Sequence, residues 1–190
     1  MRLTVVICHF KESVEWVNQL THQYVIYNKN PENNHRFENN LPNVGFDTIV
    51  YLKYIIDNYN NLPDFVCFSQ DNPFYHCESF IEKVNSFDFK TEFLPLGKTY
   101  IRDNKDILNQ TINYAKNTGI SYTEPIKFIN SVQSIVSKEL ILKNSIEFYE
   151  RVKNTLSKTE KINQTNYFVE YLWPTILNFN DKLVISDKNC

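Results

Sequence analysis

Glycine and methionine are scarce in this sequence: three and one among 190 residues. It has no Gly-x-Gly-x-x-Gly run and no Gly-x-x-x-x-Gly-Lys-Ser/Thr run, which removes the usual signs of dinucleotide enzymes and P-loop kinases. Its four cysteines, at positions 8, 67, 77 and 190, form no Cys-x-x-Cys pair, so a zinc site built on such pairs is not expected. Two of them sit inside apolar runs, and all four read as free thiols of a reducing, cytoplasmic compartment. No apolar stretch approaches the length of a membrane span, and the N-terminus shows no cleavable leader. Neither sign of charge dominates, with 20 Lys and Arg against 22 Asp and Glu. A balance this even lacks the basic footprint on which general nucleic-acid binding depends, so no nucleic-acid partner is expected.

Hydrophobic residues make up 42% of the chain, enough for one sizeable core. A single domain over residues 1–180 is expected, with 181–190 as a tail or linker. The 25 asparagines read mostly as compositional drift, with Asn28 and Asn43 excepted. Residues 3–8, LTVVIC, form a β-branched run without alternation, as a strand covered on both faces requires. Ser13 is placed to cap a helix over 14–20, and a second strand runs from Tyr24 to Tyr27. A polar loop follows over 28–40, closed by the Leu41-Pro42-Asn43-Val44-Gly45 turn. Asp47 or Thr48 then caps a helix over 48–59 that is apolar on nearly every side. A strand at 65–68 runs into the polar Ser69-Gln70-Asp71-Asn72-Pro73. Further on, helices are expected over 78–84, 107–116, 138–156 and 166–177, with a strand of mixed faces over 128–136. This succession predicts an α/β fold with a mostly parallel central sheet flanked by helices.

In such sheets ligands lie beyond the carboxyl ends of the strands, which marks the polar switch after Phe68 as a candidate site. Asp71 there reads as a hard oxygen ligand for a divalent cation or, alternatively, as a turn-capping residue before Pro73. His9 and Phe10 end the first strand, while Asn28 and Lys29 end the second. Each has a plain structural reading beside the binding one: a strand-end histidine, a solvated loop charge. His76 either faces an anionic ligand or packs. Lys98 and Arg102 flank a glycine-containing loop as weaker phosphate-binding candidates. Glu170 stands in an aromatic segment with Tyr167, Phe168, Tyr171 and Trp173, where a raised pKa and sugar stacking are both plausible chemistry. The alternative is an exposed helix glutamate beside core aromatics.

These segments together carry a resemblance. The segment Leu41-Pro42-Asn43-Val44-Gly45, then Tyr51-Leu52, Ile55-Ile56, Asn58-Tyr59, Leu62-Pro63-Asp64, Phe68, Gln70 and Pro73-Phe74-Tyr75-His76 is similar to uncharacterised GT-A-like domains of bacteria, fungi and large DNA viruses. Val5-Val6, Glu12, Trp16 and Tyr27-Asn28-Lys29 fit the same pattern. Residues 131–138 resemble a segment shared with core-2-type and xylosyl-type transferases, and Asn166–Thr175 resembles the stretch that carries the catalytic glutamate of inverting relatives. Asp47 stands where that pattern has Glu, Phe46 where it has Arg, and Asp71 where it has Gly. The resemblance spans residues 3–177. It implies a GT-A fold and transfer of a sugar from a UDP- or GDP-type donor to a glycan or glycoprotein acceptor, with inversion. It further implies Glu170 as base, Mn²⁺ or Mg²⁺ at Asp71, and donor contacts from His9, Phe10, Asn28, Lys29, Asn43, Gly45, Asp47, Gln70 and His76. The alternative is a binding module that retained the fold and recognises nucleotide or glycan without turnover.

Overall fold

The computed structural model describes residues 1–156 and 164–186. In chain order the strands and helices are β1 (Leu3–His9), β2 (Gln23–Asn28), β3 (Asn39–Asn40), α1 (Thr48–Asp57), β4 (Phe65–Gln70), α2 (Phe80–Asn85) and β5 (Phe93–Pro95). There follow β6 (Thr99–Ile101), α3 (Lys105–Thr118), β7 (Lys127–Ile129), β8 (Ser134–Ser137), α4 (Lys138–Ile141), α5 (Ile146–Leu156), α6 (Gln164–Tyr171) and α7 (Trp173–Ile176). Six strands form the central sheet in the order β3-β2-β1-β4-β8-β5, and β6 pairs with β7 in a separate ribbon. The β1–β2, β1–β4 and β2–β3 pairings are parallel, and β8 runs antiparallel between β4 and β5. The expected α/β architecture with a mostly parallel sheet is therefore present.

The absence of alternation in β1 and β4 has the anticipated cause. Val6, Cys8, Val66 and Phe68 enter one core with α1, α5, α6 and α7, while Leu3, Val5, Ile7, Phe65 and Cys67 enter a second core with Trp16, Phe80 and Val84. A strand buried on both faces has no polar side to show. Helix α1 is buried along most of its length, and Tyr51, Leu52 and Ile55 are wholly inside.

Local punctuation departs from expectation in four places. Residues 15–19 form a 3₁₀ turn, and Ser13 Oγ accepts from Glu15 N instead of capping an α-helix. The expected strand over 128–136 is two strands in different sheets, because Ser131 (φ 78°) and Val132 (φ 55°) turn the chain through the left-handed region. The helix over 138–156 is interrupted before Ser145, which accepts from Phe148 N and begins α5. The last helix breaks into α6 and α7 at Leu172, two residues before Pro174. Cys8 and Cys67 are buried free thiols, whereas Cys77 is disulfide-bonded, against the reading of four free thiols; Cys190 lies outside the described residues. Of the segment read as tail, residues 181–186 are described: Leu183 is buried, and Ser186 pairs with Thr99. No helix among the described residues is long and apolar enough to cross a membrane.

Gly45 sets the entry to α1. It lies at φ 66°, and a Cβ there would meet Ile49 Cβ at 2.9 Å and Leu156 Cβ at 3.1 Å. Gly45→Ala combines a left-handed alanine with a core collision, and is expected to cost about 2 kcal/mol in urea unfolding.

Candidate functional site

The carboxyl ends of β1, β2 and β4 place Cys8, His9, Asn28 and Gln70 side by side, since Cys8 registers with Gln70 and His9 with Asn28. Two of these residues are consumed internally. His9 is buried, donates from Nδ1 to Asn28 Oδ1 at 2.9 Å, and lies against Phe37 at 4.6 Å between ring centroids. Asn28 Nδ2 is shared among Asn30 O, Asn34 Oδ1 and Asn40 Oδ1, while its Oδ1 also accepts from Asn30 N. This amide ties the 30–40 loop to the sheet. Lys29 is also buried, and its ammonium donates to Val44 O at 2.7 Å and Phe46 O at 2.6 Å. Burial lowers its pKa, partly offset by Asp47. The side chain is a clamp on the loop before α1, and His9, Asn28 and Lys29 are all bonded within the protein.

That clamp fixes Asp47. Neither Asp47 nor Thr48 caps α1 with its side chain; Thr48 Oγ1 donates back to Gly45 O. The Asp47 carboxylate turns instead to the strand ends, where Oδ2 accepts from Gln70 Nε2 at 2.6 Å and the Cys8 thiol donates to it. Burial raises its pKa, against the lowering effect of those two hydrogen bonds and Lys29.

Asp71 has a clear partner set. Its Oδ2 accepts from the backbone N–H groups of Phe10, Lys11 and Glu12 at 2.9, 3.0 and 3.0 Å, and its carbonyl accepts from Trp16 Nε1 at 2.7 Å. Three consecutive amides converging on one oxygen make an anion nest, filled here by the protein's own carboxylate. Of the two readings of Asp71, a capping role is observed, although it caps the segment after β1 and not the Pro73 turn. Among the described residues no group of three or more His, Cys, Asp or Glu side chains is arranged to hold a metal ion.

Glu170 lies on α6 at a cavity of about 420 Å³, which is also lined by Tyr100, Arg102, Phe128, Asn130, Ser131 and Tyr171. Burial, followed by the charge of Asp47, pushes its pKa up to about 8. Phe46, held at φ 49° in the clamped loop, meets the Tyr167 ring edge-on at 5.2 Å, so the loop and α6 stand against each other. His76 accepts from Asn130 Nδ2 at 3.4 Å, with a pKa lowered by burial. Phe10 is 42% exposed, and Asn43 is exposed on the turn. Of the residues expected at the site, Asp47 and Gln70 bond each other, His76 bonds Asn130 of the cavity that Glu170 lines, and His9, Asn28, Lys29 and Asp71 bond the neighbouring loops.

Two features escaped the sequence reading. Gln133 is wholly buried; its Oε1 accepts from Gln70 N, and its Nε2 reaches Pro73 O and Leu96 O, so it braces the end of β4. A polar residue inside the 128–136 run was the available signal. The β6–β7 ribbon supplies Tyr100 and Phe128, whose rings stack at 5.5 Å. Runs of three residues carry too little periodicity to announce that ribbon.

A family described as "Protein of unknown function (DUF3431)" matches residues 5–94, from β1 into β5. No curated protein and no solved structure matches the chain. This chain is therefore similar, over residues 5–94, to a family that brings no activity with it.

Proposed function

We propose that the chain is a nucleotide-sugar-dependent glycosyltransferase of GT-A type, with Glu170 as the general base. The observation that carries this reading is a carboxyl with a pKa near 8 in an aromatic-walled cavity. A base must hold a proton poorly enough to release it and well enough to take it, and a value near working pH meets both demands. In the reaction the acceptor hydroxyl oxygen attacks the anomeric carbon of the donor, and its proton passes to the Glu170 carboxylate. The bond from that carbon to the nucleoside diphosphate breaks on the opposite face, giving inversion. Tyr100 and Tyr167 are partly exposed aromatic side chains against which a sugar can pack. No step here is routed through a metal; Asp71 Oδ2 is bonded to three amides.

A second reading, a binding module without turnover, is favoured by the internal engagement of Lys29 and Asp71, which removes two groups expected at the donor. The test is incubation with a panel of UDP- and GDP-sugars and glycan acceptors, with and without Mn²⁺, following release of nucleoside diphosphate. Acceptor-dependent release that is lost in Glu170→Gln at unchanged donor affinity is the expected result. Donor binding with no release under any condition establishes the binding module instead.

A further inference from the structure

Arg102 is held in an unusual way for a cavity-lining cation. Its guanidinium carbon lies 4.5 Å from the Phe128 ring centroid and 4.3 Å from that of Tyr171, so it rests in the corner between two aromatic rings that meet edge-on at 5.2 Å. Such contacts fix the position of the guanidinium by cation–π attraction and leave its N–H groups to bond at its edge. Among the described residues those groups make no hydrogen bond or ion pair, and Nε is buried with no partner. Ser131 Oγ, in the same cavity, is also buried without one. Leaving such atoms unpaired costs free energy that a ligand can recover. The backbone at Ser131 and Val132 reinforces the point, since two consecutive non-glycine residues at positive φ are a strain that clusters at ligand sites.

Charge decides what fits. Arg102 is the one cation and Glu170 the one carboxylate among the residues lining the cavity. A nucleoside diphosphate brings two to three negative charges, which a single guanidinium does not balance, and Glu170 adds no opposing charge while it keeps its proton. A sugar with a single carboxylate brings one charge, in the planar geometry that guanidinium bonds with two parallel N–H groups. The exposed Tyr100 and Tyr167 rings suit its pyranose ring. We propose that this cavity binds a hexuronate, with Arg102 reading the carboxylate and Ser131 adding a hydrogen bond. This deepens the glycosyltransferase reading by naming the acceptor class, and it rests on that reading only for the word acceptor.

Equilibrium binding separates the two claims. A glucuronate-terminated disaccharide, its methyl ester, its sulfated hexose counterpart and UDP are titrated calorimetrically into the full chain and into Arg102→Gln and Arg102→Lys. The free acid is expected to bind at least tenfold more tightly than the ester. Arg102→Gln removes that preference while leaving ester binding in place, and Arg102→Lys restores part of it. Thermal melts report whether each variant is folded; if the glutamine variant is not, the lysine variant must still bind the acid less tightly than the wild type does. Equal affinity for acid and ester, no binding of either, preference for the sulfated sugar, or a preference that survives in Arg102→Gln overturns the proposal. So does a loss of UDP affinity in Arg102→Gln that matches the loss for the acid, since Arg102 would then belong to the donor. Uronate binding without any nucleoside diphosphate release leaves this inference standing and overturns only the catalytic reading.

Discussion

On the proposed glycosyltransferase reading, replacing Glu170 with glutamine is expected to lower turnover by about 10²–10⁴-fold and, near pH 9, to raise the melting temperature by about 6–12 °C. Both effects come from the same displaced proton. Burial and Asp47 hold the Glu170 carboxyl at about 8, against the ordinary 4.5. The folded chain therefore keeps this proton at pH values where the unfolded chain has released it. Below about pH 4.5 both states are protonated and the group is neutral to stability. As pH rises toward 8 the folded state is progressively penalised, and above that the penalty is constant at a few kcal/mol, on the order of 3. Glutamine cannot ionise, so it escapes this penalty while filling nearly the same volume. The wild-type and variant melting curves should then diverge between about pH 5 and pH 8 and coincide at lower pH. Turnover of the wild type should rise over the same window as the base loses its proton. A variant that melts like the wild type at every pH would show that the carboxyl is not strained, and one that keeps its turnover would remove it from the chemistry. A group that destabilises its own fold while facing a cavity is the pattern expected where activity, not stability, keeps a residue in place.

The route from sequence to this site is uneven for identifiable reasons. The central strands were legible because burial on both faces demands unbroken β-branched and aromatic runs, as in Val5-Val6-Ile7 and Phe65–Phe68. Strand-end polarity was legible too, but not its use. His9, Asn28 and Lys29 sit where a ligand-facing residue would sit, and their partners come from the 30–40 and 44–46 loops, whose paths no local pattern encodes. Asp47 looked like a helix cap because an acidic residue before α1 normally is one; the Lys29 clamp on Val44 and Phe46 helps hold its loop so that the carboxylate meets Gln70. The break at Ser131 and Val132 was hidden for the opposite reason, since a β-branched valine at φ 55° contradicts its own preference. Asp47 and Glu170 influence one another across more than a hundred residues of sequence, and the packing of α6 beside α1 brings them within range.

Asp71→Ala should lower stability by about 3 kcal/mol, a fall of about 6–12 °C in melting temperature, with no divalent cation present. The alanine removes the one acceptor of three consecutive N–H groups, those of Phe10, Lys11 and Glu12. Hydrogen bonds to a charged acceptor are worth more than neutral ones, and part of the loss is returned because this loop is exposed enough for water to replace the carboxylate. Asp71→Asn keeps an acceptor oxygen but not the charge, so it should fall between wild type and alanine. The bond from Trp16 Nε1 goes to the Asp71 carbonyl and survives both substitutions, which confines the damage to the nest. A cation ligand predicts another pattern: the metal-free protein would tolerate the alanine, and Mn²⁺ would stabilise the wild type but not the variant. Melting curves of wild type, Asp71→Asn and Asp71→Ala, each with Mn²⁺ and with EDTA, separate the two. A graded loss indifferent to Mn²⁺ assigns the carboxylate to the loop that follows β1. Stabilisation by Mn²⁺ that vanishes with the carboxylate would return Asp71 to the cation and require the nest to open when the ion binds.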